Sequence, residues 1–178
     1  DVRANSSTAV PASDDGEGCY HLSGHKWFTS APMCDAFLLL ANSPRGLSCF
    51  LVPRVLLDGT RNTVALMRLK DKLGNRSNAS SEIEYNNAKG WIVGEEGRGV
   101  QTIIKMVNAT RIDCTTWAVA LMRQAVAQAG WHVSHRSAFG RTLIDQPLME
   151  NVVADLEVEG EAASHLIFRL AGLYERST

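Results

Sequence analysis

The stretch HRSAFGRTLIDQPLM, residues 135–149, separates two long segments of helical periodicity. A Gly and a Pro are what a turn between two helices requires, because Gly tolerates turn backbone and Pro suits the first turn of a helix. Arg136, Phe139 and Gln146 are not needed to make a turn. Their concentration here predicts that this segment contacts a ligand.

Apolar residues recur at helical spacing on both sides of this turn. Residues 99–135 predict one helix, which would be about 55 Å long, and a second helical pattern follows Pro147. A hairpin of two long amphipathic helices cannot bury both apolar faces, so further helices must cover them, from the same chain or another subunit.

The residues from Gly18 to about Val93 show the pattern of short β-strands instead. CYHLSGHKWFTS predicts two strands joined by a turn at Ser23–Gly24, and DAFLLLANS and LSCFLVP are apolar runs on either side of the turn NSPRG. NTVALMRL and SEIEYNNA alternate apolar and polar residues, as strands with one solvated face do. Strands followed by helices predict an α+β fold, with a β domain over 1–93 and a helical domain over 94–178.

Composition and cysteine usage bound the class of protein. The chain is 45% hydrophobic and 21% charged with a net charge of −1, which argues against binding nucleic acid through its overall field. The longest apolar run, 36–41, is too short to cross a membrane. Four separated cysteines without a C-x-x-C pair predict no metal site, but reduced, buried thiols in a cytoplasmic protein. The chain begins with Asp rather than Met and ends within a helical pattern, so we expect a longer protein.

Two other stretches carry candidate site residues. In GHKWFTSAP, residues 24–32, Trp27 and Phe28 are adjacent in a strand and should point to opposite faces, so that one ring packs in the core and the other meets a ligand. Thr29 and Ser30 add hydroxyls beside these rings, which would suit a flat heteroaromatic ligand; simple strand packing is the alternative. Arg111, within the first helical segment, is either a paired structural residue or a cation facing a site.

Taken in order, five stretches resemble the acyl-CoA dehydrogenase family of flavoproteins: GHKWFTS, LKDKLGNRSNASSEIEY, GWIVGEEGRGV, ATRID and HRSAFGRTLIDQPLM. KDKLGNRSNAS and GLSCFLVPR are similar to its AidB branch, which belongs to the bacterial response to DNA alkylation. The resemblance implies a middle β-barrel domain that lacks its first strand or loop, followed by the first two helices of the C-terminal four-helix bundle. Asp1 would be the Asp of the family's Gly-Ser-Asp flavin loop.

The resemblance also implies which residues hold the cofactor. Arg136 and Phe139 match an R-x-x-F-G turn that touches the FAD of a neighbouring subunit, and Gln146 matches a downstream Gln in the same environment. Arginine suits a pyrophosphate, because its fork gives paired, charge-assisted hydrogen bonds. The likeness therefore implies a homodimer or homotetramer.

In the same way Phe28 and Ser30, with Thr29 between them, match residues that face the flavin. The family's more usual ring is a Trp, and Trp27 stands one position earlier, which leaves open which ring packs on the flavin. Arg111 is carried over as a substrate-binding residue.

The activity implied for the whole protein is FAD-dependent α,β-dehydrogenation of an acyl-CoA thioester. No catalytic residue is assigned within this chain: in some members the base lies one residue before the helix Arg, where this chain has Thr110, and a Thr cannot be a base near neutral pH.

Two alternatives remain open. The first is an AidB-like flavoprotein associated with DNA, with little dehydrogenase activity; seven Lys/Arg against two Asp between Arg45 and Arg76 are a local hint of phosphate binding. The second is a scaffold that binds no FAD.

Overall fold

The computed structural model describes residues 2–177, which form two compact units that meet in sequence at Lys105 and Met106. Asp1, and with it the flavin-loop Asp expected there, lies outside the described residues. The boundary predicted between residues 93 and 94 stays a prediction. The first unit contains two short 3-10 helices, Val2–Ala4 and Ser13–Asp15, and six strands: β1 (Thr8–Pro11), β2 (Cys19–Ser30), β3 (Ala36–Ser43), β4 (Gly46–Pro53), β5 (Val64–Leu69) and β6 (Ser80–Val93).

Five of these strands close into a barrel, as the fold class predicted. The strand order is β2-β1-β3-β4-β6, and β6 pairs back with β2, so the ring is complete and these strands leave no open edge. Strand β6 can pair with three other strands because it is 14 residues long. Its first half lies between β5 and β2, and its second half lies between β2 and β4.

The barrel interior is filled by apolar side chains, chiefly from the alternating positions of its longer strands. Leu22, Phe50 and Val52 are completely buried, and the rings of Tyr20 and Phe50 pack with their centroids 5.0 Å apart. One buried polar side chain, Asn62, joins strands β4 and β6, where its amide donates to the carbonyls of Pro53 and Lys89 at 2.7 and 2.8 Å. Its oxygen accepts from the amide of Lys89 at 2.9 Å and of Thr63 at 3.0 Å, so all of these buried groups are satisfied.

The turn predicted at Ser23–Gly24 is wrong. Strand β2 runs unbroken from Cys19 to Ser30, and the glycine marks a β-bulge where the pairing with β6 shifts register. Gly24 has a φ of 148°, and a Cβ added there would lie 2.5 Å from the Ser7 hydroxyl oxygen. Glycine is required because the backbone of Ser7, directly before β1, approaches too closely for a side chain.

Strand β5 also departs from the sequence pattern. Its alternation predicted one solvated face, yet every residue from Ala65 to Leu69 is exposed. The reason is position: among the described strands β5 pairs only with β6, outside the closed barrel, so only its first residue, Val64, packs against the core.

The second unit holds the predicted helical pair. Helix α1 (Gly99–His135) begins within the first unit, and helix α2 (Pro147–Glu175) starts with its proline in the first turn. Two short strands, β7 (Ser137–Ala138) and β8 (Arg141–Thr142), and a 3-10 helix, Leu143–Asp145, connect the helices. Large apolar side chains stay exposed on the pair, as predicted for helices that need further partners: Trp117, Leu121, Trp131, Phe168 and Leu173.

Two sequence expectations concern the surface and the cysteines. Among residues 2–177, no helix is both long enough and apolar enough to span a bilayer. All four cysteines are free, but only Cys19 and Cys49 are buried. The prediction of buried thiols is wrong for Cys34, which lies in the loop between β2 and β3, and for Cys114, which lies on an exposed position of α1.

Candidate functional site

The turn quoted first from the sequence is a β-hairpin with Phe139 at its tip. Ser137 pairs with Thr142 and Ala138 with Arg141, which leaves Phe139 and Gly140 as a two-residue loop. Both loop residues have positive φ, 56° and 78°, as a type I′ turn requires. Glycine adopts this backbone freely, but a bulky L-residue does so at a cost of roughly 1–2 kcal/mol. Phe139 is nonetheless 96% exposed, so no packing of its side chain within its own unit offsets the strain.

Arg136 and Gln146 lie at the two ends of this hairpin. The Arg136 backbone joins helix and hairpin, donating to His132 at 3.0 Å and accepting from Leu143 at 2.8 Å. Its side chain is exposed and has no ion pair within residues 2–177. The Gln146 amide donates to the Ala138 carbonyl at 3.0 Å and so braces the hairpin. The structure thus brings the three predicted residues together, with Arg136 and Phe139 open to a partner.

In the first unit, Trp27 and Phe28 lie at a β-bulge in β2. Lys26 pairs with Ile83 and Thr29 with Ser81, so both aromatic residues stand opposite the single residue Glu82 of β6. The prediction that the two rings point to opposite faces is therefore wrong, because a bulge interrupts the strict alternation of a strand. Neither ring is in the core: Trp27 is 60% and Phe28 59% exposed.

Both rings lie against one buried ammonium group. The Lys70 Nζ is 3.2 Å from the centroid of the Trp27 ring and 5.0 Å from that of Phe28, and the Arg68 guanidinium is 5.6 Å from Trp27. Lys70 Nζ and Arg68 Nε each donate to Glu82 Oε1 at 2.6 Å. Sequence reasoning missed this cluster, because the alternation of β6 gave no sign that Glu82 would be buried.

The charge state of Glu82 follows from these contacts. The hydrogen bond from Lys70, and after it that from Arg68, lowers the pKa of the Glu82 carboxyl despite the opposing effect of its burial. His25 Nε2 lies 3.4 Å from the second carboxylate oxygen. Glu82 is thus held as a carboxylate at neutral pH, between cations and beneath the two rings.

Thr29 and Ser30 end the same strand in different environments. The Thr29 carbonyl accepts from the Ser81 hydroxyl at 3.3 Å. Its side chain hydrogen-bonds with Tyr85, whose burial raises the pKa of that phenol to about 12. Ser30 is exposed, and its hydroxyl has no partner among the described residues. Only the Ser30 hydroxyl is therefore free for a ligand.

Arg111 lies on helix α1 in the second unit. Its side chain is exposed and forms no ion pair within residues 2–177, so the paired alternative is not what the structure shows. The Thr110 hydroxyl donates to the Val107 carbonyl at 2.8 Å, as threonines in helices commonly do. Nothing at this position acts as a general base.

The basic stretch between Arg45 and Arg76 is largely neutralised. Five of its seven cations form ion pairs: Arg45 with Glu96, Arg54 with Asp35, Arg68 and Lys70 with Glu82, and Arg76 with Asp71. Ion pairs within the fold therefore offset most of the local positive charge, although Arg68 and Lys70 share a single carboxylate.

The described residues also include a cavity apart from the predicted site residues. A cavity of about 430 Å³ in the first unit is lined by Phe37, Val64 and Ile83, with Arg54 and Arg61 among its polar residues, and it contains none of the predicted site residues. Within residues 2–177, no three His, Cys, Asp or Glu side chains are grouped to hold a metal ion.

The chain, a β-barrel followed by a helical pair, belongs to the acyl-CoA dehydrogenase family. Residues 1–88 match the family model for the acyl-CoA dehydrogenase middle domain, and residues 97–178 match that for the C-terminal domain. The resemblance and the fold class predicted from sequence are thereby confirmed.

Among individual proteins, the chain is similar to the putative acyl-CoA dehydrogenase AidB of Escherichia coli, at 49% identity over 99% of this chain and 32% of AidB. It is 34% identical to acyl-CoA dehydrogenase family member 11 of Caenorhabditis elegans, over 88% of this chain and 27% of that protein. The crystal structure of C. elegans ACDH-11 in complex with C11-CoA superposes with a TM-score of 0.86 at 32% identity, over 98% of this chain and 31% of that one. The chain therefore spans about a third of the length of these relatives.

Proposed function

We propose that this chain is the FAD-binding portion of an oxidoreductase that introduces an α,β double bond into an acyl-CoA thioester. The observation that carries the proposal is the exposed, strained Phe139 beside the unpaired Arg136, in a chain that belongs to this family. Backbone strain at a fully exposed aromatic residue is a feature of binding sites rather than of packing.

The residues present fit an FAD molecule in chemical terms. Arg136 offers a free guanidinium fork for a pyrophosphate, and Phe139 offers an aromatic face. Trp27 and Phe28 offer a second exposed aromatic surface over a cationic cluster, and Ser30 a free hydroxyl beside it. Bound FAD would supply the hydride acceptor; the chain's own residues bind and orient the cofactor.

The substrate class and the assembly belong to the same proposal. The similar ACDH-11 structure holds C11-CoA, which supports an acyl-CoA as substrate, with Arg111 as a cation available to it. We propose a homodimer or homotetramer, because exposed apolar residues remain on both helices and the family uses the hairpin across a subunit boundary. A protein that binds FAD yet sediments as a monomer at micromolar concentration would refute this assembly.

The experiment compares FAD binding by the wild type and Arg136→Ala. Losing a charge-assisted bond should weaken binding by roughly 1.5–3 kcal/mol, about one to two decades. Arg141→Ala is the matched control, because Arg141 is also exposed and lies in the same hairpin but is not a predicted site residue. Equal FAD affinity of Arg136→Ala and Arg141→Ala would contradict the assignment.

Reduction of bound FAD by acyl-CoA distinguishes the dehydrogenase from the DNA-associated alternative. No carboxylate stands at the Thr110 position, so we expect residues 1–178 alone to show no measurable acyl-CoA dehydrogenase activity even with FAD added. Five of the seven cations between Arg45 and Arg76 form ion pairs, which weakens the charge argument for an association with DNA. The cytoplasmic location stays a prediction.

A further inference from the structure

The two strands that pair with β6 around Glu82 each carry an extra residue there. On β2 the extra residue lies between Lys26 and Thr29, and on β5 it lies between Leu66 and Arg68. A bulge re-aims side chains and increases local twist. The two bulges therefore turn the side chains on both neighbouring strands towards the Glu82 carboxylate.

This cluster carries a net positive charge directly behind the exposed rings. Lys70 and Arg68 share one oxygen of Glu82, which leaves one positive charge uncompensated even with His25 neutral. The Lys70 side chain is only 8% exposed, whereas Trp27 and Phe28 keep more than half of their surface open. A buried ammonium at 3.2 Å from a ring centroid is within the range of a strong cation–π contact.

We propose that Lys70, anchored by Glu82, is a positioning residue for the flavin, holding Trp27 and Phe28 in place and setting a positive charge behind their ring surface. The inference rests on the proposed FAD function. Reduction makes a flavin more electron-rich, so a fixed positive charge near it favours the reduced over the oxidised form. Lys70 should therefore raise the midpoint potential of the bound flavin as well as its affinity.

The test measures the affinity and the midpoint potential of FAD in the wild type and Lys70→Met. The variant should bind oxidised FAD about threefold and reduced FAD about thirtyfold more weakly; that tenfold difference lowers the two-electron potential by about 30 mV. Lys105→Met is the matched control, since Lys105 is exposed, carries the same charge and makes no contact with the rings. Lys70→Arg keeps the charge and should keep the wild-type midpoint potential, with oxidised and reduced FAD affected equally.

A second readout needs no flavin. In the apoprotein, Lys70→Met should increase acrylamide quenching of Trp27 fluorescence, taken as the difference from the same variant carrying Trp27→Phe. A role confined to fold stability would change the melting temperature but neither this quenching nor the ratio of the two affinities.

Each outcome decides between the two proposals. If the wild type does not bind FAD, the proposed function and this inference both fall. If it binds FAD and Lys70→Met matches Lys105→Met in midpoint potential, only this inference is overturned. Should Lys70→Met not melt cooperatively, Lys70→Gln replaces it, and a wild-type potential in that variant overturns the inference equally.

Discussion

Replacing Phe139 by Asn should make the protein more stable and its FAD binding weaker at the same time. Asn is the L-residue that best tolerates the first position of a type I′ turn, and Asn-Gly is the preferred pair there. With a φ of 56° at Phe139, the exchange should relieve about 1 kcal/mol of strain, which corresponds to a rise of about 3 °C in melting temperature.

The loss of binding follows from the exposure of the ring. An aromatic side chain buries about 150–250 Å² when fully covered, and Phe139 is 96% exposed in its own unit. Covering half of that surface against FAD is worth about 2 kcal/mol, so Phe139→Asn should weaken binding roughly thirtyfold.

Phe139→Ala separates the two effects. It removes the ring but keeps a Cβ at positive φ, so its melting temperature should stay close to that of wild type while its FAD affinity falls as in Phe139→Asn. Thermal unfolding of the apoprotein and titration with FAD provide the measurements. The reasoning is refuted if Phe139→Asn melts no higher than Phe139→Ala, or if both variants bind FAD like the wild type.

The remaining predictions concern the barrel. Gly24→Ala should destabilise it by about 3 kcal/mol in urea unfolding, because the methyl group has no room against Ser7, whereas Gly74→Ala, with open space around it, should change little. Asn62→Ala should lower the free energy of unfolding by about 3 kcal/mol in the same assay, since it leaves buried carbonyl and amide groups without hydrogen-bond partners. A loss below 1 kcal/mol would show that these groups find other partners. Burial lowers the pKa of Lys26 to about 8, so the unfolded state binds more protons above that pH, and stability should rise from pH 8 towards 10, a rise that Lys26→Met removes. The raised pKa of Tyr85, about 12, has the opposite sign: stability should fall between pH 10 and 12, and Tyr85→Phe should abolish that fall.

The amino-acid sequence alone determined those features that depend on local periodicity and on short motifs. The two helices followed from apolar spacing, and the hairpin formed by β3 and β4 followed from apolar runs around NSPRG. The family followed from five short stretches in register, and both family models confirm it. These patterns involve residues close together along the chain, so they can be recognised without knowing any tertiary contact.

The tertiary structure decided everything that depends on pairing register between distant strands. Whether Trp27 and Phe28 share a side depends on a bulge opposite Glu82, which lies more than fifty residues away in sequence. The local sequence predicts a turn at Gly24, because the close approach of Ser7 depends on tertiary structure. It predicts a half-buried β5, because the place of that strand outside the barrel depends on tertiary structure as well. The burial and the pairing register of a strand depend on which strands lie next to it. Glu82, in an alternating strand, is stable as a buried carboxylate because the neighbouring chain segment places Arg68 and Lys70 against it.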